Sequence, residues 1–150
     1  MKKHQSLFDH IWFVGSGKGG VGKSTIALNI AVALGKQGYD IGFLDADIYG
    51  PSAPQMLGLR HSKPDINQNE IIAPFYKFGI RSMSVGFLME DTAPGVWRGP
   101  VLHTILQRMI SGVDWGHCNV LIVDLPPGTG DVLLSLSSLL PQAGIITVTM

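Results

Sequence analysis

Gly17-Lys18-Gly19-Gly20-Val21-Gly22-Lys23-Ser24 has the spacing Gly-x4-Gly-Lys-Ser/Thr of a phosphate-binding loop. Its glycines let successive backbone N–H groups turn inward around phosphates. Lys23 brings a positive charge to the outer phosphates, and the Ser24 hydroxyl can ligate magnesium. In a chain of this composition the whole pattern arises by chance with a probability of roughly 1%. Gly15, Gly17 and Gly20 also satisfy Gly-x-Gly-x-x-Gly, with acidic residues about 25 positions further on, as a dinucleotide site requires. That shorter match is expected by chance about 0.3 times in so glycine-rich a chain, and a dinucleotide site has no use for the Gly-Lys-Ser-Thr ending. A nucleoside triphosphate is therefore the favoured ligand, with a dinucleotide and a purely structural glycine turn as the alternatives.

Three carboxylates follow apolar runs and so fall at strand ends: Asp45, Asp47 and Asp124. A carboxylate near phosphates can hold a metal or orient water. Asp47 has a second reading as an Asx-type turn before Tyr49-Gly50-Pro51, and Asp124 a second reading as a turn cap. Asp45, two residues from Asp47 and on the same side of an extended chain, is the weaker candidate and can serve to support the loop. Gly128, after Pro126-Pro127, offers a backbone N–H that could sense a terminal phosphate, or marks an ordinary strand-to-helix turn. Asp131 reads as a helix cap. His4, His10, His61, His103 and His117 show no ligand spacing, and Cys118 reads as a small packing residue.

The elements that must position these groups alternate. A strand at about 11–15 enters the glycine loop, and a helix at 24–36 carries Ile26, Ile30, Ala33 and Leu34 on one face until Gly38 ends it. A strand at 41–44 leads into the acidic pair and a short helix near 55–57. Residues 71–73 and 80–88 read as strands, 101–109 as a helix and 119–123 as a buried strand. A helix then runs to Leu140 and a last strand spans 144–150. The pattern is α/β: a doubly wound, mainly parallel sheet with helices on both faces, in one domain. Its ligand site belongs at the carboxyl ends of the strands, where the glycine loop, Asp47 and Asp124 converge.

Composition agrees. Of 150 residues, 45% are hydrophobic and only 15% charged, which excludes disorder and suits a sheet buried on both faces. Eleven basic and eleven acidic residues cancel, leaving no field to recruit nucleic acid or an anionic membrane. One cysteine permits no internal disulfide and fits a reducing, cytoplasmic setting.

Lys18-Gly19-Gly20-Val21-Gly22-Lys23-Ser24-Thr25 resembles the deviant Walker A motif of the partition, septum-positioning and nitrogenase-iron-protein ATPases, with Lys18 as its hallmark. Residues 44–52, Trp97-Arg98-Gly99-Pro100 and residues 124–131 resemble the Mrp/ApbC-like branch, the ATP-dependent iron–sulfur cluster carriers. The resemblance runs from about His10 to Met150. It implies a P-loop fold, ATP with magnesium, and a homodimer that sandwiches ATP. Lys18 would reach into the partner's site, Asp47 would orient the attacking water, and Asp124 would hold magnesium through water alongside Ser24. Gly17 to Thr25 and Gly128 would surround the nucleotide. The complete proteins of that branch carry a 4Fe-4S cluster between cluster donors and apo iron–sulfur recipients, with no role for nucleic acid or membrane. Arg98 reads as a dimer contact or as a surface residue. The family's Cys-x-x-Cys cluster pair does not occur in these residues, so no cluster ligand is assigned. The chain is expected to be the amino-terminal portion of a longer protein, its sheet incomplete at the carboxyl end. A partition- or septum-type ATPase is the alternative, and an inactive fragment the third reading.

Overall fold

The computed structural model describes residues 7–88, 99–128 and 130–149. Among them, strands β1 (Phe8–Ser16), β2 (Ile41–Asp45), β3 (Phe75–Lys77), β4 (Ile80–Ser84), β5 (Cys118–Asp124) and β6 (Gly144–Val148) form one sheet in the order β3-β4-β2-β5-β1-β6. Every neighbouring pair is parallel except β3 with β4. Helices α1 (Lys23–Lys36), α2 (Ala53–Met56), α3 (Pro100–Ser111) and α4 (Gly130–Leu139) connect them. Alternate residues of the central strands enter two cores. Leu121 and Val123 of β5 pack with α3 and α4, whereas Val120 and Ile122 pack with α1 and the segment around α2. The expected doubly wound sheet is therefore present. No helix among the described residues is long and apolar enough to cross a membrane.

Several element readings need correction. Helix α1 meets the sheet through Ala27, Leu28 and Ala31, while Ile26 is 40% exposed. Periodicity points to the face of Ile26, Ile30, Ala33 and Leu34, but apolar residues occur around most of this helix, and the small Ala27 and Ala31 let their face lie close to the sheet. Gly38 does end it: the Gly38 N–H donates to the Gly35 carbonyl and the Tyr39 N–H to that of Leu34.

Residues 71–73 form no strand. Only Ile72 makes bridges, to Ile66 and Val113. The strand expected over 80–88 stops at Ser84, where the Gly86 N–H turns to the Ser84 hydroxyl and Val85–Leu88 become a 3-10 turn. Strand β3 is not among the strands that the sequence predicts, since its turn onto β4, Phe78-Gly79, lacks an asparagine or aspartate signal. Phe78 nonetheless takes φ 54° and Gly79 φ 79°, as a two-residue hairpin turn demands. Strand β1 begins at Phe8, its start masked by the polar Asp9 and His10. Asp131 lies inside the first turn of α4 rather than capping it, where the helix dipole favours a carboxylate. Trp97 and Arg98 lie outside the described residues.

Candidate functional site

Strand β5 is inserted between β1 and β2. Its last residue, Asp124, therefore pairs in register with Val14 just before the glycine loop and with Asp45 at the head of the acidic segment. Sheet order alone thus brings together chemistry drawn from three distant parts of the chain. The loop leaves β1 and closes on α1 with Gly20 at φ 75° and Gly22 at φ 83°, left-handed conformations that a side chain would strain. Beside it lies a cavity of about 280 Å³ lined by loop residues Gly19, Gly20, Gly22, Lys23, Ser24 and Thr25, by Ser16 and Pro127, and by Asp47, Ser52 and Met56 opposite.

Lys23 is buried at the inner end of this cavity. Its ammonium donates to Asp124 Oδ1, lies 3.1 Å from Ser24 Oγ and stands 3.7 Å from Asp47 Oδ2. One cation thus serves two carboxylates. Burial raises the carboxyls of both Asp47 and Asp124 above the ordinary value, and Lys23 opposes the rise in each case. Asp47 Oδ1 accepts from the Gly50 N–H at 3.1 Å, so this residue forms the Asx-type turn and also faces Lys23. The Asx-type turn open from sequence is formed, and it leaves Oδ2 facing Lys23.

Asp45 does not line the cavity. It is wholly buried and accepts three hydrogen bonds, from the Asp47 N–H (3.1 Å), the Ala53 N–H (3.0 Å) and the Ser84 hydroxyl (2.9 Å). It pins both ends of the 46–53 loop, the supporting role its position suggested. Its carboxyl is pushed up to about 7, first by burial and then by Asp124, against the pull of its three donors.

A carboxyl that keeps its proton to higher pH in the folded chain stabilises that chain in acid. The contribution is full below the ordinary 3.8 and is lost as pH rises through about 7. The stability of the ligand-free chain is accordingly expected to fall between about pH 4 and pH 7, with Asp45 contributing up to about 1.4 kcal/mol per pH unit. Urea titrations of the wild type and Asp45→Asn across this range check it. Equal slopes in the two proteins would remove Asp45 from the account.

Not every expected residue faces the cavity. Gly17, Lys18 and Val21 lie on the other side of the loop, where with Val148 and Thr149 they line a second cavity of about 300 Å³. Gly128 reaches the loop, but its N–H donates to the Ser16 carbonyl at 3.0 Å instead of pointing at a phosphate position. At φ 70°, with a Cβ there only 3.1 Å from the Gly17 carbonyl oxygen, this position braces the loop and admits only glycine comfortably. Ser16, Ser52 and Met56 were not singled out from sequence. Only Ser52 carried a signal, as a hydroxyl inside the acidic motif. Cys118 is buried against Trp115, its thiol raised chiefly by burial. Among the described residues no group of three or more His, Cys, Asp or Glu side chains could hold a metal ion.

A family model described as ParA, NUBPL iron-transfer P-loop NTPase, matches residues 8–150. An iron–sulfur cluster carrier protein of Synechocystis is 49% identical over 139 residues, spanning 91% of this chain and 39% of its own length. The iron–sulfur cluster transfer protein NUBPL of Mus musculus is 48% identical, spanning 91% of this chain and 43% of its own. The chain thus covers well under half the length of these curated relatives. Among solved structures, a nucleotide-binding protein from Archaeoglobus fulgidus in complex with ADP matches with 34% identity and a TM-score of 0.84, over 99% of this chain and 57% of that one. The cell-division ATPase MinD of Pyrococcus furiosus, 22% identical with a TM-score of 0.60 over 92% of this chain and 61% of its own, shares the fold.

Proposed function

This chain belongs to the NUBPL iron-transfer P-loop NTPases, and from that membership we propose that it binds and hydrolyses ATP in the service of iron–sulfur cluster delivery. The observation that carries the ATP reading is Lys23, a buried ammonium at the end of a glycine loop, shared between Asp124 and Asp47. Such a cation neutralises the outer phosphates of a nucleotide, and the loop N–H groups follow the rest of the chain of phosphates.

The residues fit magnesium. Among the described residues Asp124 Oδ2 is buried without a hydrogen-bond partner, and with the Ser24 hydroxyl it supplies the hard oxygen donors that this ion prefers. Ser24 would hold the ion directly and Asp124 through water. Bound magnesium would neutralise charge on the phosphate oxygens. Asp47, fixed by its turn and by the Asp45 anchor, would orient the attacking water beside the terminal phosphate. Gly17, Lys18 and Val21 extend the binding loop on its outer side, and Gly128 holds it from behind.

The cluster is cargo. The one cysteine, Cys118, is buried, so no residue here is assigned to it. Cluster donors and apo iron–sulfur recipients are the proposed partners, a homodimer the working form and the cytoplasm the setting. Titration of the full chain with ATP, with and without magnesium, together with phosphate release, tests the enzymatic part. Magnesium-dependent binding and turnover are expected, and absence of both would end the ATPase reading. ATP-dependent appearance of cluster absorbance in an apo recipient tests delivery.

A further inference from the structure

Ser52 stands on the wall of the loop cavity, and its hydroxyl is buried with no hydrogen-bond partner among the described residues. A hydroxyl taken out of water without a partner is unfavourable, so its retention here points to a ligand that completes it. Its position is held from both sides. The next residue, Ala53, donates its N–H to Asp45 Oδ2, and the Ser84 hydroxyl, donating to the same oxygen, accepts in turn from the Gly86 N–H at 2.9 Å. The preceding residue, Pro51, lies against Gly86 so closely that a Cβ there would fall 3.0 Å from the Pro51 Cβ. Ser52 therefore cannot swing away without breaking the Asp45–Ser84–Gly86 fixture. It shares its wall with Asp47, whose carboxylate stands 3.7 Å from the Lys23 ammonium, and that ammonium marks the outer-phosphate end of the cavity.

We propose that Ser52 is a substrate-binding residue whose hydroxyl donates a hydrogen bond to an oxygen of the terminal phosphoryl group of ATP. The inference rests on the ATP reading of this cavity. It makes Ser52 a reporter of nucleotide state, because ADP lacks the group that satisfies it.

Calorimetric titration of the full chain in magnesium with ADP, and with a non-hydrolysable ATP analogue whose β,γ-bridge is an imide, tests it. Ser52→Ala is expected to weaken the analogue about tenfold, the scale of one hydrogen bond to a charged acceptor, and to leave ADP within about twofold. Ser52→Thr, which keeps the hydroxyl, is expected to restore the preference. Unchanged affinity for both nucleotides, or an equal loss of both with the melting temperature intact, would overturn the proposal. So would a threonine variant that behaves as the alanine one. Wild-type chain that binds neither nucleotide would instead overturn the ATP reading, and this inference with it.

Discussion

Replacing Lys23 with alanine is expected to weaken ATP binding by about 100-fold or more, to abolish phosphate release and to destabilise the ligand-free chain at neutral pH. The affinity loss follows from removing a buried cation from the outer phosphates. Truncating one partner of a desolvated charge pair costs about 2–5 kcal/mol, and about 2.7 kcal/mol corresponds to 100-fold. The stability loss has a separate origin. Lys23 is 6% exposed and neutralises Asp124 and Asp47, whose carboxyls burial already raises. Without it two buried carboxylates face each other, and an uncompensated buried charge costs about 3–5 kcal/mol unless a proton is taken up. Uptake is easier in acid, so the variant is expected to recover much of its melting temperature near pH 5 relative to pH 7.5. Arginine is not expected to rescue it, since a planar fork does not fit where a compact ammonium contacts two acids. Nucleotide titration and thermal melts at the two pH values check both parts. ATP affinity within about threefold of wild type would take Lys23 out of the site.

Such a prediction needs the distance between Lys23 and Asp124, which are 101 residues apart in sequence. The loop itself was legible because its chemistry is local: glycines, lysine and serine at covalent spacing between a strand and a helix. The convergence of Asp47 and Asp124 was legible one level up, since parallel strands with crossovers gather their carboxyl ends on one edge. What stayed hidden depends on packing. The buried face of α1 is chosen by how near a helix can approach the sheet, and Ala27 and Ala31 give no periodic signal stronger than that of Ile26. Hairpin β3–β4 turns at a phenylalanine held at positive φ, a conformation that its residue type does not announce. The Gly128 N–H could be given to phosphate or to protein, and only the fold shows it given to Ser16. Ser52 is marked by the lack of a partner among the described residues, which no sequence displays.

The placement of Lys18 leads to a sharper expectation than its motif alone. It is exposed and lies with Gly17 and Val21 on the side of the loop away from Lys23 and Asp47. From there it does not line the cavity that holds Lys23 and Asp47. If Lys18 acts across a dimer as a cation that stabilises charge developing during phosphoryl transfer, Lys18→Ala is expected to lower turnover by about 1,000-fold, the range of supplied arginine fingers. Binding should change by less than about threefold, because the cavity is left intact. The decisive measurement is a mixture. A Lys18→Ala copy retains a sound nucleotide site but offers nothing to its partner, whereas a Lys23→Ala copy has a ruined site but still presents Lys18. Each is inactive by itself. Random pairing of equal amounts makes roughly half the dimers mixed, each with one complete site of two, so roughly a quarter of wild-type phosphate release should return. A mixture no more active than its components would place Lys18 in its own site or outside the chemistry. Recovery would establish that the catalytic centre is completed only by two chains.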